Sequence, residues 1–191
     1  LAKGDGMSQI EYADTAKDFI GEMVADVWEK YERILEKDKA LDFDDLLLKT
    51  AQLLERREDI RKYYGGLWKY IHIDEYQDTN KIQYRIVKYL IDGQILAGQK
   101  ERNLCVVGDA DQNIYSWRGA SIEFIMNFDR DYPDAEVVVL AENYRSTKTI
   151  LTAANDAISK NIKRREKELY TKNADGEKIT VASFWGEVDE A

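Results

Sequence analysis

Tyr70-Ile71-His72-Ile73-Asp74-Glu75-Tyr76-Gln77-Asp78-Thr79-Asn80 is the stretch that decides how this chain is read. A short apolar run ends on two adjacent carboxylates, and a polar stretch then opens a helical pattern. An Asp-Glu pair at the carboxyl end of a buried strand suits the hydrolysis of a nucleoside triphosphate. One acid can hold Mg²⁺, usually through water, while its neighbour polarises the water that attacks the γ-phosphate. Acidic pairs are also common on solvated surfaces, so this pair takes its meaning from its surroundings.

On the C-terminal side, the pattern predicts a helix over 81–91, a strand over 103–107, a short helix over 121–128, a strand over 136–140 and a helix over 146–162. Strands alternating with helices imply right-handed crossovers and a parallel sheet covered on both faces. The apolar runs IHI, LCVV and VVVL fit strands buried on both sides. Ligands of such sheets bind beyond the carboxyl ends of the strands. Three polar clusters fall there: Asp74-Glu75, Gly108-Asp109 and Glu142-Asn143-Tyr144-Arg145. A last strand is expected over 178–185, without a later partner.

On the N-terminal side the reading is helical. Residues 1–10 read as a frayed start. Residues 12–35 carry Phe19, Met23 and Val27 at helical spacing, with Ile20, Val24, Trp28 and Tyr31 alongside, and 36–39 break the pattern. Asp42 caps a second helix with an apolar face of Phe43, Leu46, Leu47, Leu48, Leu53 and Leu54. Asp42, Asp44 and Asp45 read as helix N-terminal charges rather than metal ligands. A third helix over 58–64 is expected to stop at Gly65-Gly66.

The 191 residues contain 44% hydrophobic residues, enough for a packed core, and carry a net charge of −9. That charge speaks against a purely electrostatic nucleic-acid binder, although a local groove can differ from the global sum. The most basic segment, Lys160 to Lys167, reads as a solvated helix end and connector, or as a contact to a nucleic-acid backbone. The single cysteine, Cys105, reads as a buried small hydrophobe and fits a reducing cytoplasm. No run approaches the roughly 18 apolar residues that span a bilayer, and no signal-peptide pattern is present. The one histidine, His72, reads as a packed or supporting side chain. With one histidine and one cysteine, a zinc site is not expected.

The second cluster runs Gly108-Asp109-Ala110-Asp111-Gln112-Asn113-Ile114-Tyr115-Ser116-Trp117-Arg118-Gly119-Ala120. In an extended segment Tyr115 and Trp117 share a face, and two rings beside an arginine make a stacking platform for single-stranded bases. The competing reading is core packing of both rings. The third cluster, Asn143-Tyr144-Arg145-Ser146-Thr147, offers an arginine for phosphoryl charge and a ring for a base. It also reads as a helix capped by Ser146 or Thr147.

Together LDFDDLL, YIHIDEYQDTN, NLCVVGDADQNIYSWRGA and LAENYRSTKTILTAAN resemble the superfamily-one DNA helicases of the UvrD, PcrA and Rep group, from about Tyr12 to the C-terminus. The resemblance implies a partial RecA-like α/β P-loop NTPase sheet flanked by helices. Residues 1–40 would be the end of a helical insertion, 41–142 most of the first motor domain and 143–191 the start of the second. It implies Mg²⁺ at Asp74, a general base at Glu75 and a γ-phosphate sensor at Gln112. It also implies base stacking on Tyr115 and Trp117 with Arg118 beside them, and adenine stacking on Tyr144 with transition-state charge stabilised by Arg145. ATP and Mg²⁺ would be the cofactors, single-stranded and duplex DNA the partners, and 3′-to-5′ translocation the activity.

One departure from the family pattern is plain: no G-x-x-x-x-G-K-[ST] loop occurs in the chain. The expectation is therefore an internal piece of a longer helicase that neither hydrolyses ATP nor unwinds DNA appreciably alone. Two other readings stand beside it: the helicase arm of an AddA- or RecB-type nuclease, and a degenerate helicase-like binding module. Intact Asp74, Glu75, Gln112 and Arg145 speak against the module.

Overall fold

A computed structural model describes residues 2–162, 164, 165 and 167–190. The chain divides into two compact units, Leu1–Asp131 and Tyr132–Ala191.

The first unit is a helix-rich α/β assembly. Its helices are α1 (Gln9–Thr15), α2 (Phe19–Asp38), α3 (Phe43–Arg56), α4 (Glu58–Leu67), α5 (Lys81–Leu96), α6 (Glu123–Met126) and α7 (Phe128–Asp131). Strands β1 (Ile71–Ile73) and β2 (Leu104–Val106) pair in parallel, with Ile71 opposite Leu104, His72 opposite Cys105 and Ile73 opposite Val106. Helix α5 is the crossover between them, as a parallel pair of strands requires. Asn80 and Gln83 form a reciprocal cap at its start. The core centres on Leu48, Ala51 and Ile82, with Leu47 and Ile86 against it. Leu48, Ala51 and Leu54 lie three residues apart and form the buried stripe of α3.

A buried amide anchors the amino edge of this small sheet. The Gln94 side chain of α5 is fully buried; its Nε2 donates to the Trp68 carbonyl at 3.0 Å, and its Oε1 accepts from the Asn103 amide at 2.9 Å. One side chain thus satisfies backbone groups ahead of both strands, which an apolar residue could not do.

The structure corrects several sequence expectations. The helix expected over 12–35 is two helices, because Asp18 accepts from the Gly21 amide at 2.7 Å and starts α2 afresh. Helix α4 runs through Gly65-Gly66 to Leu67 instead of stopping there. Gly65 lies against α5, where a Cβ would sit 2.0 Å from the Gly93 carbonyl carbon. The expected cover on both sheet faces is incomplete: His72 and Cys105, partners in the register, are both exposed on one face. Cys105 is therefore not a buried hydrophobe, and His72 is not packed. The helix over 81–91 continues to Leu96, and that over 121–128 resolves into α6 and α7.

Residues 2–10 are not frayed either. Lys3 is buried, and its Nζ lies 2.7 Å from Glu32, 2.9 Å from Asp42 and 3.1 Å from Asp45. Burial disfavours the ammonium, but the three carboxylate hydrogen bonds outweigh it and hold the Lys3 pKa above its usual value. Asp42, also partly desolvated, is held below 3.8 by Lys3, the Asp45 amide and the Tyr31 hydroxyl. The Lys3 contribution is complete below pH 10.5 and is lost only as pH rises through its higher folded value. The Asp42 contribution is present above pH 3.8 and is lost as pH falls through its lower folded value. Replacing Lys3 by Met leaves Asp45, with a side chain only 2% exposed, facing Lys49 alone at 3.4 Å. Urea unfolding should register a loss of about 3 kcal/mol at neutral pH. A loss near zero would mean that the cluster contributes no net stability.

The second unit holds α8 (Lys148–Ile158) and the terminal turn α9 (Glu187–Glu190). Helix α8 is shorter than the expected 146–162. Thr147 occupies its cap position without a side-chain cap bond, and Ser146 is not the cap. Lys163 and Glu166, within the basic segment, lie outside the described residues. Neither 136–140 nor 178–185 forms a strand. Val138 and Leu140 are 69% and 77% exposed, and Val181 is 90% exposed. A strand is defined by its ladder, and among the described residues no neighbour pairs with either segment. A single parallel bridge, Glu142 to Tyr170, orders the start of this unit, with Asn143 N donating to the Tyr170 carbonyl at 2.7 Å.

Candidate functional site

Strands β1 and β2 lie side by side in parallel, so the segments that leave their carboxyl ends emerge together. The Val107 amide donates to the Ile73 carbonyl at 2.8 Å, and the Tyr76 amide returns a bond to Val107 at 2.9 Å. Asp74-Glu75 and Gly108-Asp109 therefore occupy one edge. The first two expected clusters are brought together by the ladder itself.

Asp74 and Glu75 are both exposed, and among the described residues neither is paired with a cation. Asp74 Oδ1 accepts from the Glu75 amide at 2.9 Å. Glu75 adopts φ 50 and ψ 43, in the left-handed region that L-residues seldom occupy. That conformation costs on the order of 1–2 kcal/mol and persists only where the surroundings enforce it. It turns the chain sharply into a one-turn 3₁₀ segment, Tyr76–Asp78.

Gln77, which no motif in the sequence singles out, is 1% exposed and links the two clusters. Its Nε2 donates to Glu75 Oε2 at 2.8 Å, and its Oε1 accepts from the Asp109 amide at 3.0 Å. An N–H can only donate, so the Asp109 amide fixes which end of the carboxamide is oxygen and which is nitrogen. Gly108 permits this approach: a Cβ there would lie 2.6 Å from Gln77 Oε1. The one clue in the sequence is a long polar side chain in the short run between a strand and the next helix.

Asp109 organises the loop beyond. Its carboxylate accepts from the Asp111 amide at 3.0 Å and from Gln112 Nε2 at 2.8 Å. Gln112 is exposed, with its amide drawn back onto its own loop. Asn113 Nδ2 ties the loop to the Gln77 carbonyl at 2.7 Å.

Tyr115 and Trp117 do not lie on an extended segment. Ser116–Arg118 is a 3₁₀ turn, and the two rings are tilted at 51° with centroids 6.5 Å apart. The Arg118 guanidinium bridges them, 5.6 Å from the Tyr115 ring centre and 4.6 Å from that of Trp117. Tyr115 is 39% and Trp117 64% exposed, so neither is a core ring. A cation clasped by two accessible rings offers flat apolar faces beside positive charge, which suits bases and their phosphates.

Tyr144 and Arg145 belong to the second unit. Asn143 Oδ1 accepts from the Arg145 and Ser146 amides at 3.0 and 2.8 Å, which sets the turn ahead of α8. Tyr144 is 81% exposed, and its hydroxyl donates to Glu142 Oε2 at 3.1 Å. That bond raises the phenol pKa, while Lys172 and then Tyr144 hold the Glu142 carboxyl below its usual value. Arg145 is exposed, with no side-chain partner among the described residues. A depression of about 360 Å³, lined by Arg61, Tyr89, Asp92, Ile95, Leu96 and Arg102, lies by the C-terminal end of α5. Gln94 puts that end at the amino edge of the sheet, opposite the carboxylates, so the depression has no part in the site.

Residues 2–133 match the family model of the UvrD/REP helicase N-terminal domain, and residues 138–191 match that of the UvrD-like helicase C-terminal domain. The chain belongs to the UvrD/REP helicase family. It is 51% identical over 176 residues to ATP-dependent DNA helicase PcrA of Staphylococcus aureus strain Mu50, an alignment covering 92% of this chain and 23% of that protein. PcrA of Staphylococcus epidermidis strain RP62A is 50% identical over the same shares. The chain thus spans about a quarter of the length of these relatives. The helix-rich unit with a small parallel sheet is consistent with a partial α/β helicase fold of this family. No helix among the described residues is long and apolar enough to cross a membrane.

Proposed function

We propose that this chain contributes part of the motor of an ATP-dependent DNA helicase that translocates 3′ to 5′ on single-stranded DNA and unwinds duplexes. The observation that carries the reading is the common edge of β1 and β2. There the exposed Asp74-Glu75 pair is joined through Gln77 to the loop bearing Gln112, Tyr115 and Trp117. The family match to UvrD-type models in both parts favours this reading over the nuclease arm. The helical residues 1–40 would end an insertion, 41–142 form most of the first motor domain, and 143–191 begin the second.

The residues fit Mg²⁺-ATP. Magnesium prefers oxygen ligands, retains several waters, and is typically held by one or two carboxylates together with substrate phosphates. Asp74 is the carboxylate for it; when bound, the ion would neutralise charge on the β- and γ-phosphates. Glu75 accepts the proton of the attacking water. Gln112 orients toward the terminal phosphate once its amide leaves Asp109. Arg145 supplies positive charge to the transferring group, and Tyr144 a face for adenine. Tyr115 and Trp117 stack bases of the single strand, with Arg118 holding the rings and meeting phosphate.

The test is single-stranded DNA binding and DNA-stimulated ATP hydrolysis by the full-length protein. Trp117→Ala should weaken single-strand affinity on the order of tenfold to a hundredfold, from the loss of one stacked base. ATP hydrolysis without DNA should stay near the wild-type rate. Unchanged affinity would remove the stacking role, and a wild-type protein whose hydrolysis DNA does not stimulate would remove the motor reading.

A further inference from the structure

We infer that Gln77 is a positioning residue that holds the Glu75 carboxylate and couples it to the DNA-facing loop after β2. The inference rests on the reading of Glu75 as the base that activates water.

Three observations carry it. First, Gln77 is almost completely buried while both of its carboxamide ends are engaged in opposite directions, toward Glu75 and toward the Asp109 backbone. Burying a carboxamide is unfavourable unless its hydrogen bonds are made, and a glutamine that only filled space would serve better as Leu or Met. Second, its bond to Glu75 reaches a carboxylate whose backbone sits in a strained left-handed conformation. An exposed glutamate on such a turn samples many rotamers, and the 2.8 Å bond to Oε2 selects one of them and leaves Oε1 for water. Third, the Asp109 whose amide Gln77 accepts also holds Gln112 through its carboxylate at 2.8 Å. The Gln77 carbonyl in turn accepts from Asn113, two residues before Tyr115.

Glu75, Gln77, Asp109 and Gln112 therefore form one hydrogen-bonded chain from the base to the loop that carries the rings. A shift of that loop moves the Asp109 amide, and the carboxamide that follows it moves the Glu75 carboxylate. A misplacement of about 1 Å at such a group can cost on the order of a hundredfold in rate. Movement of the loop when a base stacks on Tyr115 and Trp117 can thus change the rate of hydrolysis without any contact between DNA and nucleotide.

The experiment uses the full-length protein with two substitutions at position 77 and Glu75→Gln in parallel. Gln77→Glu keeps the size and the acceptor for the Asp109 amide but sets a carboxylate against Glu75. Two like charges in contact repel, so the Glu75 carboxylate is driven from the rotamer that its 2.8 Å bond to Gln77 selects. At neutral pH kcat should fall about ten- to hundredfold with KM for ATP little changed. Gln77→Met, assayed below its own melting temperature, should lower the ratio of DNA-stimulated to basal turnover; simple loosening of the fold would lower both rates alike. A wild-type kcat in Gln77→Glu, or an unchanged stimulation ratio in Gln77→Met, would overturn the inference. If Glu75→Gln is itself active, the base assignment has failed. If Glu75→Gln is inactive and both position-77 variants behave as wild type, only the coupling has failed.

Discussion

Glu75→Gln in the full-length protein should lower DNA-stimulated kcat on the order of a hundredfold or more while leaving ATP binding intact. The substitution is chosen to change one property. Gln keeps the length of the side chain and an oxygen that can accept from Gln77 Nε2, as Glu75 Oε2 does at 2.8 Å. It tolerates the left-handed backbone of this position no worse than Glu. What it removes is the ability to take a proton from water. Because the site is otherwise preserved, KM for ATP and the melting temperature should stay near their wild-type values, and the whole loss should appear in kcat. Glu75→Ala would confuse the matter by also releasing Gln77. Activity that survives Glu75→Gln would end the assignment of Glu75 as base, however well the surrounding geometry fits.

The second large effect concerns stability. Gly65→Ala should destabilise the chain by about 3 kcal/mol, whereas Gly66→Ala, one residue on in the same helix, should be close to neutral. A Cβ on Gly65 would meet the backbone of α5 at 2.0 Å from Gly93 C and 2.3 Å from Gln94 N. Backbone cannot swing aside as a side-chain tip can, so α4 and α5 must separate. The same crossing is tight from the other side, where a Cβ on Gly93 would lie 2.2 Å from the Arg61 carbonyl oxygen. Gly66 is exposed, and its nearest neighbour would be Ala97 Cβ at 3.2 Å, a small adjustment. There the roughly 1 kcal/mol gain in helix propensity offsets the contact. Equilibrium urea unfolding of the two variants decides the matter. Equal and small effects would show that the close approach of α4 to α5 does not require a glycine at position 65. The crossing bears on the site as well, because Gln94 pins both strand starts from the segment of α5 adjoining Gly93.

The sequence by itself determined the elements whose signals are local. Asp42 and Asn80 cap helices because a side-chain oxygen three residues before a backbone N–H suffices, and both form reciprocal caps with the residue at the third helical position. The apolar run before Asp74-Glu75 makes a strand, and the alternation with helix makes its pairing parallel, so two of the three polar clusters are legible as neighbours from the sequence alone. Family resemblance through contiguous motifs was legible for the same reason: each motif is a short run whose spelling carries its chemistry.

Tertiary structure decided what depends on residues distant along the chain. Gln77 reads as one polar residue among five until Asp109, 32 positions later, brings a backbone amide to it. Lys3 reads as part of a loose start until α2 and α3 present three carboxylates around it. Gly65-Gly66 reads as a stop signal because propensity is a per-residue property, whereas the crossing of α4 over α5 requires the absence of a Cβ at one point. Conversely, the apolar runs at 136–140 and 178–185 have the composition of strands and form none. Composition sets what a segment favours, but a ladder needs a second backbone to supply the other half of every hydrogen bond.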